Sequence, residues 1–426
     1  MHIKQAISQQ SGRITVSGWV YRERGSNSMR FLVLRDTDNV LQCVIKKDAV
    51  SEEVWERTQS LKVESSVTLS GELKPDERAP TGVELIVDNV LVVGDSNEFP
   101  ITKDQSIEHL ANNRHLWLRS RYMNAILKVR HECFAAFREY FIQKGFYEYH
   151  SPIFQATQAE GGSDLFAVKY FDSEVYLSQT WQLYAEAAIF SLENIFTISP
   201  TFRAENSKTS RHLTEFWMAE MEMAWSTFED IQDHAEGVVK HVVSRVLERC
   251  EEELAVLEKD VSPLIAARDK PFVRITYDDA LALIKKEGMD VPWGKDLRTQ
   301  EEEYICQQFD VPVIVTNYPT EVKAFYMKEV PGRPDVVQGC DVLVSGVGEI
   351  IGGSQREEDI EKIKERLVRD GEDPADYEMY LDTRRYGSVP HGGFGLGMER
   401  IVAWVCGLDS VKDAIAFPRT PLRFKP

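Results

Sequence analysis

The sequence predicts an α+β protein: a small N-terminal β-barrel, then one large domain of helices on an antiparallel sheet. Three observations predict it. Residues 1–95 contain five short strand-like runs, two of them alternating polar and apolar residues with period two. Beyond residue 113, long stretches with helical spacing are mixed with strands. The two element types do not follow the regular strand–helix alternation that a parallel, doubly wound sheet requires.

Taken in order, residues 13–20 and 66–70 alternate cleanly, and residues 31–35 form an apolar strand. A turn at residues 36–39 sends residues 41–45 back as a hairpin, and residues 85–90 supply the last strand. Residues 51–61 are the one helix-like stretch among them. Five strands and one helix in this length suggest a closed barrel of the oligonucleotide-binding kind. A polar connector at residues 96–112 leads into the large domain, 113–426, in which about 250–335 reads as an insertion. Ile126, Val129, Cys133, Phe137 and Phe141 mark a helix that Gly145 would end. Val238, Val242, Val246, Cys250 and Leu254 mark a second.

Composition bounds the function. The chain has 426 residues, 43% hydrophobic and 28% charged, which is ample for a folded core. No apolar run reaches the roughly 18–20 residues of a membrane helix, and no apolar signal core follows Met1, so a cytoplasmic protein is expected. A net charge of −19 argues against coating nucleic acid non-specifically, though not against gripping one nucleic acid through a local patch. The six cysteines form no C-x-x-C pair and read as buried, reduced thiols.

Three segments can carry chemistry. Residues 202–205 and 211–216 read as strand, polar turn, strand. Arg203 would clamp a phosphate from a fixed strand, with Glu205 beside it. Arg211 and His212, followed by Leu213, would lie at a tip able to close over a triphosphate, and Phe216 could stack on a purine. In the second segment, Asp341 and Glu349 flank an apolar strand and could hold Mg2+ through carboxylate oxygens. Gly352 and Gly353 would let backbone approach a ligand. The third, residues 391–400, has glycines at 393, 395 and 397 and ends at Arg400. Its spacing is not that of a dinucleotide fold, but Arg400 at a helix start could meet phosphate. An arginine beside each permissive element suits catalysis by positioning and charge stabilisation at phosphorus.

These segments resemble motifs 2 and 3 of the class II aminoacyl-tRNA synthetases, and residues 145–152 resemble motif 1. With the N-terminal barrel, the pattern is similar to the aspartyl, asparaginyl and lysyl subgroup, nearest its asparaginyl branch through residues 211–218 and 417–420. The resemblance implies ATP and Mg2+ as cofactors, asparagine and tRNA(Asn) as substrates, and a homodimer joined at motif 1. It implies that Arg203 holds the α-phosphate and Arg400 the γ-phosphate, and that Phe216 stacks on adenine near Glu205 and His212. Asp341 and Glu349 would bind the metal. Glu160 and Gln182 would hold the α-amino group, and Arg356 would reach the side chain. In the barrel, Phe31 would stack on an anticodon base and Gln42 would read it.

Asparagine is preferred over aspartate on one argument. Aspartyl enzymes resemble Ser-Pro-Gln-Leu-Tyr-Lys where this chain has Thr180-Trp181-Gln182-Leu183-Tyr184-Ala185. Without that lysine, Glu220 is expected to be free to accept from an amide nitrogen and to repel a carboxylate. Trp181 departs from the small residue expected there. An aspartyl enzyme of relaxed specificity and a non-catalytic nucleotide- or tRNA-binding relative remain the alternatives.

Overall fold

A computed structural model describes residues 1–156, 165–207 and 209–425, which fall into two compact units, Met1–Asn113 and Arg114–Pro426. The first is the expected closed barrel. Its strands run Gly12–Gly25, Met29–Arg35, Val40–Lys46, Val83–Gly94, Ser66–Pro75 around the wall. All neighbours are antiparallel except Val40–Lys46 with Val83–Gly94. Period-two alternation turns Val16, Val20, Leu32, Leu34, Leu41, Cys43 and Leu85 inward, where all are fully buried. The helix Glu52–Ser60 matches the expected helix and is capped by the Ser51 hydroxyl accepting from the Val54 N–H. A short helix, Ile3–Gln9, was not foreseen; only Ile3 and Ala6 bury, and the Ile3 N–H donates to Asp36 at 2.7 Å.

The second unit is organised by an eight-stranded sheet. Its order is Val273–Thr276, Val313–Thr316, Gly339–Val344, Gly348–Gln355, His391–Gly397, Glu215–Ala224, Asn194–Phe202, Tyr147–Glu148. The centre is antiparallel, and the outermost pair at each end is parallel. Residues 250–335, expected as an insertion, thus supply the two strands at one edge of this same sheet. The helices Arg121–Gln143 and Phe228–Arg249 pack together, and their apolar stripes merge with Met398–Cys406 and the sheet in one core. The expected second helix stops at Arg249; Cys250 then caps a separate turn, Glu251–Val256. Gly145, at φ +84°, ends the first helix in the left-handed conformation that favours glycine. All six cysteines are buried and free. Among the described residues, no helix is long and apolar enough to cross a membrane.

Candidate active site

The register of the sheet builds the site. Across four strands Glu220 faces Gly395, Gly395 faces Gly352, and Gly352 faces Asp341. One row further, Glu222 faces Gly393 and Gly393 faces Ser354. Alternation sends Met218, Glu220 and Glu222 to one face and Ala219 and Met223 into the core. The glycines keep the floor between the carboxylates low. A methyl on Gly395 would lie 2.5 Å from Met218 Cε, and one on Gly352 would lie 3.0 Å from Glu349 Oε1.

Two cavities lie on this floor. The larger, about 530 Å³, is lined by Gln182, Glu220, Asp341, Arg356 and Lys323 among others. The smaller, about 120 Å³, is lined by Glu205, Arg211, His212, Leu213, Phe216 and Arg400 among others. Arg203, Met218, Glu349 and Gly395 line both. The hairpin Asn194–Phe202/Glu215–Ala224 delivers Arg203 there from the end of its first strand, as expected. The Arg203 guanidinium lies 5.5 Å from the Phe216 ring centroid, and its Nε is buried with no hydrogen-bond partner. Lining both cavities, the guanidinium is placed where an anion could meet it.

In the smaller cavity Arg400 Nη1 donates to the Glu349 carbonyl at 2.8 Å and lies 3.4 Å from its carboxylate. Arg211 is tied by Nη1 to Glu302, 3.0 Å away on the helix Thr299–Gln307. Burial and the Glu349 charge push Glu302 up to about 7, against the pull of Arg211. Burial and the Arg400 charge hold His212 below its ordinary value, against Glu205.

Asp341 and Glu349 converge over Gly352, offering the hard oxygen donors that Mg2+ prefers. Lys323 Nζ donates to Asp341 at 2.8 Å. Burial and the Glu349 charge push Asp341 up to about 6, against Lys323. Burial also opposes charge on Glu349, but Arg400, Lys323 and Arg203 outweigh it and hold that carboxylate below its usual range.

In the larger cavity one expectation needs correction. Glu220 is not free: it accepts from Thr180 Oγ1 at 2.5 Å and from the Trp181 N–H at 3.1 Å, because the turn before the helix Gln182–Leu192 presents its donors there. These two bonds fix the direction of its carboxylate. Ala185 does not line the cavity: helical periodicity turns it into an apolar cluster with Trp181 and Ile189. Trp181 itself lines the cavity, pinned by Nε1 to the Tyr149 carbonyl at 2.9 Å.

Arg356 reaches the cavity as part of a buried ion network. Its Nε and Nη2 grip the two oxygens of Glu222 at 3.0 and 2.8 Å, and Nη1 donates to Ser354 at 2.8 Å. Behind it, Glu186 is held well below the carboxylate range: burial opposes the charge, but Arg384, His391 and Arg356 outweigh it. Sequence reasoning missed Glu186, Glu222, Glu302, Lys323 and Arg384. For Glu222 a signal existed, since Glu220 and Glu222 sit at alternate positions of the otherwise apolar run 216–224. Glu160 lies outside the described residues.

In the barrel, Phe31 and Gln42 lie half-buried on neighbouring strands, and Phe31 stays out of the barrel core. Arg24 lies 5.0 Å from the Phe31 ring centroid, and Gln42 Nε2 donates to Glu84 at 3.1 Å.

Residues 106–421 match the family model of class II tRNA synthetases (D, K and N), and residues 14–93 match that of the OB-fold nucleic acid binding domain. The asparagine–tRNA ligase of Thermococcus gammatolerans is 47% identical over 97% of this chain and 96% of its own length. The structure of asparaginyl-tRNA synthetase from Pyrococcus horikoshii complexed with asparaginyl-adenylate superposes with a TM-score of 0.97 at 44% identity, covering 100% of this chain and 99% of that one. The asparaginyl-tRNA synthetase of Entamoeba histolytica, also in complex with asparaginyl-adenylate, gives 0.88 at 32% identity, covering 97% and 96%. With its catalytic domain and barrel both matched in chain order, this chain belongs to the class II tRNA synthetases of the D, K and N group.

Proposed function

We propose that this protein attaches asparagine to tRNA(Asn) through an asparaginyl-adenylate. The observation that carries the reading is Arg203, which lines both the cavity that suits an amino acid and the cavity that suits ATP. That is where a carboxylate would meet an α-phosphate. The asparagine carboxylate attacks the α-phosphorus, the bond to the β-phosphate oxygen breaks, and pyrophosphate leaves. The terminal ribose hydroxyl of the tRNA then attacks the adenylate carbonyl and AMP leaves. No protein nucleophile is needed, so positioning and charge stabilisation are the chain's contribution.

Arg203 holds the α-phosphate and Arg400 the γ-phosphate, while Phe216 stacks on adenine with Glu205 and His212 beside it. Arg211 leaves Glu302 to close over the triphosphate. Asp341 and Glu349 hold Mg2+, which supplies charge neutralisation to the phosphates. Gln182, with Glu160, takes the α-ammonium group. Glu220 accepts from the asparagine amide nitrogen, and Arg356 donates to its oxygen. Arg356 is already neutralised by Glu222, so it offers hydrogen bonds with little surplus charge for an aspartate.

In the barrel, Phe31 and Gln42 read the anticodon. Residues 145–152 and the exposed apolar side chains of Tyr147, Ile153, Phe154 and Phe171 form a homodimer interface. Free, buried thiols fit a cytoplasmic setting.

The test is ATP–pyrophosphate exchange with Mg2+, asparagine and aspartate side by side. Exchange with asparagine alone supports the reading. Exchange with aspartate alone overturns the substrate, and exchange with neither, tRNA added, overturns the activity.

A further inference from the structure

Gln182 and Glu186 lie one turn apart on the helix Gln182–Leu192, so their side chains meet. Glu186 is wholly buried. Its Oε1 accepts from Gln182 Nε2 at 2.8 Å. Its Oε2 accepts from the Tyr380 hydroxyl at 2.8 Å, Arg384 Nη2 at 2.5 Å and His391 Nε2 at 3.0 Å. Arg356 Nε, clamped on Glu222, stands 3.8 Å from Oε1. Glu186, Glu222 and His391 have the spacing of a metal cluster, but guanidinium groups already occupy both carboxylates, so this is an ion network.

The chemistry of the pair fixes an orientation. A carboxylate only accepts, so Gln182 must turn its NH2 toward Glu186 and its carbonyl oxygen away. Gln182 lines the larger cavity, and among the described residues no donor meets that oxygen. An acceptor held toward the cavity attracts an ammonium group. The flipped amide would present NH2 and repel it.

We propose that Glu186 is a positioning residue for amino-acid recognition: it locks the Gln182 carboxamide with its oxygen toward the substrate ammonium and couples that lock to Arg356. The inference rests on reading the larger cavity as the amino-acid site. It adds a specificity: the group that Glu186 helps to read is the α-ammonium, not the side-chain amide.

The test uses Glu186→Gln in the full chain, which keeps the shape but can donate to the Gln182 oxygen and let the amide turn over. Asparagine is the substrate of ATP–pyrophosphate exchange, and succinamic acid, asparagine without its amino group, is the competing inhibitor. The KM for asparagine should rise about tenfold more than the Ki for succinamic acid, with the KM for ATP unchanged. A merely structural role would weaken all three alike, or lower kcat alone, and either result overturns the proposal. Because the single variant strands Arg384, a second, Glu186→Gln with Arg384→Met, removes both charges and keeps the balance. It should lose the same discrimination; if it melts normally and still separates asparagine from succinamic acid as the wild type does, the proposal fails. Wild-type protein that exchanges with no amino acid overturns the activity itself, whereas an active wild type with unaltered variants overturns only the role of Glu186.

Discussion

Lys323 places its ammonium 2.8 Å from an Asp341 oxygen and 3.9 Å from the Tyr318 ring centroid, so a cation already sits at the carboxylate assigned to Mg2+. The two cations compete for one oxygen donor set. Lys323→Met should therefore lower the Mg2+ concentration that half-saturates pyrophosphate exchange, by about tenfold. A higher requirement would mean that Lys323 holds Asp341 in its metal-binding position instead.

Arg203 has a buried Nε without a partner between the two cavities. Arg203→Ala should lower exchange by about 100-fold to 1,000-fold, the loss typical of one preorganised donor at a developing charge. Single-turnover adenylate formation measures it, and near-normal rates would remove Arg203 from the mechanism.

Glu220 is oriented by Thr180 and Trp181, with its charge at the cavity. Glu220→Gln removes the repulsion toward a carboxylate while preserving shape. The ratio of exchange with asparagine to exchange with aspartate should fall by about tenfold to 100-fold. A variant that still refuses aspartate would shift discrimination to Arg356.

Gly393 backs onto Glu222, where a methyl would lie 2.1 Å from the Met221 carbonyl and 2.3 Å from Glu222 Oε2. Gly393→Ala should cost about 1–3 kcal/mol, seen as a lower melting temperature. It should also disturb Arg356, and so asparagine binding more than ATP binding.

Asp36 anchors the N-terminal helix and the turn of the barrel hairpin. Burial opposes its charge, but the N–H groups of Ile3, Asn39 and Asp38, together with His2, outweigh it and hold its carboxyl below the usual range. The folded form thus binds a proton less readily than the unfolded chain. Asp36 contributes stability above the ordinary carboxylate pKa, and that contribution is lost as pH falls through this range. Asp36→Asn should destabilise by about 1 kcal/mol at pH 7, with the gap to wild type closing in acid. Hydrogen exchange of residues 3–9 reports it directly.

The sequence made the strands legible because alternation is a local signal. It revealed the barrel, the hairpin that carries Arg203 and the helix after Gly397. Asp341 and Glu349, expected to flank one strand, instead lie within two adjacent strands. The sequence did not reveal the helix Ile3–Gln9, whose two buried residues make too short a stripe. Nor did it reveal the network around Glu186, where His391 lies 205 residues away and each charge looks like ordinary surface. Only tertiary packing brings such partners together: Glu186 meets Tyr380 and Arg384 across two helices and His391 from the sheet. The sequence shows Ala185 only as the place of a missing lysine; its contacts, an apolar cluster with Trp181 and Ile189, become visible only in the packed helix.

The side chain of Arg203 forms part of two walls at once. It cannot adjust to one occupant unnoticed by the other. Whatever factor bound nucleotide adds to the affinity for amino acid, bound amino acid must return to the nucleotide, because linkage is reciprocal. The order in which the two substrates arrive then alters the route to the ternary complex but not its stability.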